Sequence, residues 1–316
     1  MKTDDHIAAA APSERPVRRP RRIIDGVLLL DKPVGPSSSR ILGHVKHLFN
    51  AAKAGHAGTL DPLASGLLPL MFGEATKYAA EGLDADKTYE AEILLGTKTT
   101  TADAEGDVIQ EAPVPRLNAT EVATVLESFL GPQQQVPPMY SALKKDGRAL
   151  YAYAREGKEV DRPARSIQIH ALGLLAFESP VLTVRVVCSK GTYIRTLAED
   201  IGAALRTVAH LKSLRRTGVG NLQAADVVSL QSIEQAEEDQ RPDFLKPVDW
   251  LIRDWPQIVL GPLQASRFSH GQSVMVHADS APGLMRIKSE QNEFLGTGRV
   301  DANAMLHPER VRVISH

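Results

Sequence analysis

The sequence predicts an α+β fold: a mixed, mainly antiparallel sheet, followed by a small C-terminal β-barrel. Three observations carry that expectation. Strand-like segments outnumber helix-like ones and are not interleaved with them in a βαβ rhythm. The clearest strand segments alternate apolar and polar residues, as half-buried strands do. Beyond Trp255-Pro256, short apolar runs recur between Gly271, Gly283, Gly296 and Gly298, a spacing that suits several short strands.

Taken in order, residues 1–23 mix Ala, Pro and Arg with almost no large apolar side chains, and a disordered basic tail is expected. Structure should begin at Gly26, where Val27 to Leu30 form a short buried strand that stops at Asp31-Lys32-Pro33. Ser37 to Ser39 cap a helix whose apolar face is Ile41, Val45, Leu48 and Phe49. Residues 55–70, GHAGTLDPLASGLLPL, follow. Three glycines and two prolines there predict a shaped loop with no regular helix or strand, anchored by Leu67, Leu68 and Leu70.

Thr88 to Gly96 alternates, with Tyr89, Ala91, Ile93 and Leu95 on one face. Asn118 with Glu121 is a capping-box pattern for a helix burying Val122, Val125, Leu126 and Phe129, ended by Gly131-Pro132. From Gln133 to Arg165 periodicity is lost and Pro, Gly, Tyr and basic residues accumulate; so long a connection is normally functional or mobile. Strands return at Ser166–Ile169 and Leu182–Cys188. Gly191-Thr192 then turns the chain into a helix carrying Ile194, Leu197, Ile201 and Leu205, and Gln223 to Trp250 reads as a short helical link.

Composition narrows the classes of function. The 316 residues suffice for one large and one smaller unit, and 43% hydrophobic with 24% charged residues is ordinary for a soluble protein. No window approaches the roughly 18 apolar residues of a spanning helix, so no membrane segment is predicted. The single cysteine, Cys188, excludes an internal disulfide and fits a reducing cytoplasm. It leaves no Cys cluster for zinc, the histidines show no ligand spacing, and no metal is expected. Net charge is −1, but the charge is segregated. Arg15, Arg18, Arg19, Arg21 and Arg22 form one basic run, and Arg206, Lys212, Arg215 and Arg216 another. Residues 144–165 are basic as well, while acids gather at Glu234, Glu237, Glu238 and Asp239. Segregation of this kind gives either plain solvated surface or a basic face for a phosphate backbone.

The chemistry centres on Asp61, the only acid of the glycine-rich stretch. Asp-Pro in isolation is also a turn whose carboxylate caps its own backbone. His56, five residues earlier, is a site or a loop-capping residue. Tyr89 is a core tyrosine or a stacking surface. Tyr193 and Arg195 stand two apart at a strand-to-helix turn that aims both at a cleft, unless Arg195 is an exposed helix residue. A nucleophilic acid must be ionised and held, which an arginine fork does by charge-assisted hydrogen bonds, and aromatic rings stack on nucleobases. These residues are consistent with covalent chemistry on a base in RNA. No Gly-rich nucleotide fingerprint, serine elbow or second motif-borne carboxylate accompanies them.

From Gly26 onward the chain resembles the bacterial tRNA pseudouridine synthase B family. The matching motifs are Gly26-Val27 through Pro33, residues 55–70, Lys87-Thr88-Tyr89, PPMYSALKKDGRALYAYAREG over 137–157, CSKGTYIRTLAEDIG over 188–202 and AHLKSLRRTGVG over 209–220. The resemblance implies isomerisation of uridine 55 in the T arm of tRNA, with Asp61 as nucleophile, Arg195 as its partner and Tyr89 stacking on the target uracil and serving later proton removal. It further implies that Tyr193 and Leu214 line the uridine pocket, with His56 near the flipped nucleotides and Lys32 in the active-site region. It makes 24–252 a catalytic domain of pseudouridine-synthase type with a thumb insertion at about 133–165, and 256–314 a PUA-like RNA-binding domain. No cofactor, no obligate protein partner, a monomeric state and a cytoplasmic location are expected. The competing classes are a tRNA-binding folding factor and a base-excising hydrolase.

Overall fold

The computed structural model describes residues 20–277 and 281–313; the expected tail lies, up to residue 19, outside the described residues. Order starts before Gly26, because the Arg22 amide donates to the Asn50 carbonyl at 2.7 Å and Arg22 bridges to Ala51.

Ten strands form one sheet. Its path runs Val228–Ser229, Gly26–Lys32, Ala64–Phe72, Ala209–Val219, Lys87–Leu95, Val181–Cys188, Arg165–Glu178 and Gly131–Gln135. Ala54–His56 pairs with Ala64–Phe72, and Leu222–Gln223 with Ala209–Val219. Two of the pairings are parallel, Gly26–Lys32 with Val228–Ser229 and Ala64–Phe72 with Ala209–Val219. The rest are antiparallel, so the sheet is mixed and mainly antiparallel as expected.

The apolar run at the start of the chain is buried on both faces. Leu28 and Leu30 enter one core, with Ile41 and Val45 of the helix Ser38–Leu48, with Phe49 that caps its C-terminus, and with Leu197 and Ile201 of the helix Ile194–Ala204. Val27 and Leu29 enter a second core with Leu67, Met71, Tyr78 and Phe294. A strand covered on both faces reads as a continuous apolar run, and this one does. Lys87–Leu95 alternates through its whole length, and the helix Ala119–Glu127 carries the full Asn118–Glu121 capping box.

Four expectations need correction. Residues 55–70 are not irregular throughout: Ala64–Phe72 is a central strand, and only 57–63 form the loop. Gly66 stands inside that strand at φ +100, where an added Cβ would lie 2.3 Å from the Arg216 carbonyl oxygen. The glycine therefore allows two backbones to approach inside a sheet, where it had suggested a loop. The strand Ala209–Val219 is not legible in the sequence, because its charged residues hide the alternation. The strand expected at Ser166–Ile169 is also longer, running Arg165–Glu178, and residues 133–135 lie in its edge partner and not in the insertion. Beyond them the insertion holds a two-residue hairpin, Lys144–Lys145 with Arg148–Ala149, and the helix Leu150–Arg155.

The C-terminal unit is the small, strand-built barrel-like unit expected, and the fourth correction concerns only its glycines. Its five strands run in the order Gln257–Leu260, Gly283–Ser289, Phe294–Val300, Met305–Val311, Val274–Met275, a curled half-barrel with two open ends. The helix Pro262–Ser269 packs on all five strands and drives a fully buried Phe268 into the middle. Gly296 and Gly298 are not separators but strand residues, seated where a Cβ would strike the neighbouring strand at 2.1 and 2.7 Å. Tyr78 meets Phe294 edge-on, and the Lys77 ammonium donates to the Val311 carbonyl at 2.9 Å, so the half-barrel is seated on the main sheet.

Candidate active site

The loop 57–63 is pinned on both sides of Asp61. The Ser38 hydroxyl accepts from the Leu60 amide at 2.8 Å and donates to the Leu60 carbonyl at 2.9 Å. The Gly35 amide donates to the Pro62 carbonyl at 2.8 Å. Lys32, wholly buried, donates to the carbonyls of Pro33 at 2.9 Å, Ala64 at 2.7 Å and Pro62 at 3.5 Å. Burial pulls the Lys32 ammonium down to about 8, against a rise from Asp61. The resemblance suggested a substrate contact for Lys32. The structure puts it beneath the loop, away from the cavity wall, because its donors are taken up by carbonyls.

Asp61 does not cap its own turn. Its carboxylate meets the Arg195 guanidinium at 2.8 Å, with 41% of the aspartate side chain exposed and 5% of the arginine. Arg195 is thus no exposed helix residue. Its remaining donors go to the Thr101 carbonyl at 3.1 Å and the Tyr140 carbonyl at 2.7 Å, and its Nε lies 3.6 Å from the Asp103 carboxylate. The arginine is immobilised from several sides while the acid keeps a free face. That arrangement fixes the direction of the carboxylate through a charge-assisted contact.

Asp61, Arg195, Tyr89, Tyr193 and Leu214 all line one cavity of about 410 Å³. Tyr193 is fixed by Gln135, whose side chain accepts from its amide at 2.8 Å and donates to its carbonyl at 3.1 Å. His56, paired in its strand with Leu70, is not on the cavity wall. Its Nδ1 is buried without a partner, and burial, then Arg216, lowers its pKa.

Three residues of the site were not anticipated. Asp103 lies in a turn with no periodicity and no motif, and nothing in the sequence marks it. Arg216 belongs, in the sequence, to a basic run. It is 1% exposed, donates to the Leu67 carbonyl at 2.8 Å, and turns to the Gly58 and Thr59 carbonyls of the Asp61 loop at 3.3 and 3.5 Å. Lys87, on the wall, donates to the carbonyls of Leu83 and Ala85 at 2.6 Å each, and burial pulls it down to about 8. Two others of the run are paired with acids: Arg215 with Asp31 at 2.9 Å and Lys212 with Glu92 at 3.3 Å. An alternating strand sends adjacent Arg215 and Arg216 to opposite faces. Recognition of that strand would have placed one of them inside.

Among the described residues, no group of three or more His, Cys, Asp or Glu side chains is arranged to hold a metal ion, and no helix is long and apolar enough to cross a membrane.

The geometry has counterparts. The model of the TruB family pseudouridylate synthase N-terminal domain matches residues 46–194. That of the tRNA pseudouridylate synthase B C-terminal domain matches 195–253, and that of the pseudouridine synthase II TruB C-terminal region matches 256–311. The tRNA pseudouridine synthase B of Burkholderia lata is 52% identical over 313 residues, covering 98% of this chain and 96% of that protein. That of Cupriavidus pinatubonensis is 52% identical over 309 residues, covering 95% and 98%. A chain in the crystal structure of a Cbf5-Nop10-Gar1 complex superposes with a TM-score of 0.68 at 26% identity, covering 90% of this chain and 84% of that one. With identity of this level along almost its whole length, the chain belongs to the TruB family of pseudouridylate synthases.

Proposed function

We propose that this protein isomerises uridine 55 in the T arm of tRNA to pseudouridine, with Asp61 as the nucleophile. The observation that carries the reading is the Asp61–Arg195 pair at 2.8 Å, its acid open to a nucleoside-sized cavity. The substrate class follows from the relatives, which are named tRNA pseudouridine synthase B.

In the reaction the N1–C1′ bond of the nucleotide breaks, the uracil turns, and a C5–C1′ bond forms. The proton on C5 leaves and N1 gains one. Asp61 forms the covalent adduct that allows the base to detach, and Arg195 directs the carboxylate. The target must first leave its stack, at a cost of a few kcal/mol. Stacking on Tyr89, worth roughly 1–3 kcal/mol per base, offsets that cost, and Tyr193 and Leu214 close the pocket around the base. The insertion beyond residue 135 and the half-barrel from 256 onward grip the RNA by shape and phosphate contacts. Nothing is oxidised or transferred between molecules, so the enzyme needs no cofactor; it works as a monomer in the cytoplasm without an obligate protein partner.

The test uses an unmodified tRNA transcript and its T-arm hairpin, tritiated at uridine C5. Tritium release at the single T-arm uridine, lost in Asp61→Asn, is the expected result. Tight binding without release would put a folding factor in its place, and free uracil would mean a hydrolase.

A further inference from the structure

Arg216 is a buried cation without a counter-ion. Its partners are backbone carbonyls and the Tyr89 hydroxyl; no acid among the described residues contributes to holding its charge. Burying a guanidinium in this way is costly, and the site gains whenever negative charge appears beside it. Tyr89 is where such charge would appear. It stands directly opposite Arg216 across the pairing of Lys87–Leu95 with Ala209–Val219, and both side chains reach the same cavity wall. Residues opposed in this way keep their Cβ atoms within about 5.5 Å.

We propose that Arg216 is a positioning residue for Tyr89: it fixes the phenol oxygen against the rotated uracil and stabilises negative charge on that oxygen while it takes the C5 proton. The proposal rests on the reading of Asp61 and Tyr89 given above. In the step concerned, the C5–C1′ bond has formed and C5 still carries its hydrogen. The Tyr89 phenolate takes that proton, the C5–H electron pair restores the C5=C6 double bond as the C6=N1 pair moves onto N1, and N1 takes a proton from water. Tyr89 then releases its proton to solvent. Burial pushes the Tyr89 phenol up, and Arg216 pulls against it. The other groups facing the phenol are the Cys188 thiol on Val181–Cys188 and the Asp61 carboxylate, both of which raise it further, while Lys87 lies two residues along the same strand. Arg216 is therefore the neighbour that works against this rise.

The test is single-turnover pseudouridine formation on transcripts carrying protium or deuterium at C5, with the full-length protein. Arg216→Met is expected to slow conversion on the order of 100-fold, the scale of a lost proton-transfer contribution. Its C5 isotope effect should exceed that of the wild type, and its pH–rate limb should lie at higher pH. Added to Tyr89→Phe, it should cost no more than about a further threefold, since the two act through one another. Arg216→Lys keeps a cation and should fall between wild type and Arg216→Met in rate and isotope effect; it carries the comparison if Arg216→Met does not fold. Slowing with an unchanged isotope effect, or losses that multiply with Tyr89→Phe, would make Arg216 only a brace for the Asp61 loop and overturn the proposal. A wild-type protein that forms no pseudouridine would instead overturn the functional reading, and this proposal with it.

Discussion

Two aspartate–arginine pairs in this molecule have similar lengths and opposite designs. Asp249 meets Arg286 at 2.9 Å with 7% and 12% of the side chains exposed, and the arginine also donates to the Trp255 carbonyl at 3.1 Å and the Gln257 side chain at 3.3 Å. Both ends are enclosed, and the pair ties the half-barrel to the segment leading into it. Asp61 meets Arg195 at 2.8 Å, but there only the arginine is enclosed. A pair that holds structure together buries both charges. The pair proposed to prepare a reaction fixes the cation and leaves the acid open.

The largest effect should come from the open acid. Asp61→Asn is expected to reduce tritium release by on the order of 10⁴-fold or more, as removal of a nucleophile does, with tRNA affinity within a few-fold. A fall in melting temperature matching that of Asp249→Asn would break the comparison, because Asp61 would then be structural. Arg195→Lys replaces a planar fork by a point charge and should cost roughly 100-fold in turnover with little change in binding. Unchanged turnover would remove Arg195 from the chemistry.

Asp249→Asn should do the reverse. Breaking a buried pair costs about 3–5 kcal/mol, so denaturant unfolding should shift to a lower midpoint while the folded fraction keeps its rate of release. Slowed release by fully folded protein would mean that the half-barrel pair reaches into the site.

The smallest effect concerns pH. Burial holds Lys32 and Lys87 at about 8 in the folded protein, below the 10.5 of a free lysine. Between those values the unfolded chain holds protons that the folded chain has shed, so stability contributed by these groups rises with pH through that window. Below about 8 both states are protonated and the burial penalty stands. In Lys87→Met the rise in melting temperature between pH 8 and pH 10 should shrink, and an unaltered rise would place the titration elsewhere.

The sequence by itself determined the elements whose residues point at their own neighbours. Tyr89, Ala91, Ile93 and Leu95 alternate because one face of that strand is packed, and Asn118 with Glu121 caps a helix locally. The turn at 191–193 leads into a helix by the same local rules, and the lone acid of the glycine-rich stretch marked Asp61. Tertiary structure decided whatever depends on partners far along the chain. Asp31 neutralises Arg215 from 184 positions away, and that pairing helps turn a basic run into a central strand. Gly66 is a strand residue only because the Arg216 backbone lies against it. Asp103 and Tyr140 reach Arg195 from separate turns, and no periodicity announces such a meeting. Local propensity and spacing are written into a few consecutive residues, whereas long-range contacts and the burial of charge exist only after the sheet has closed over them.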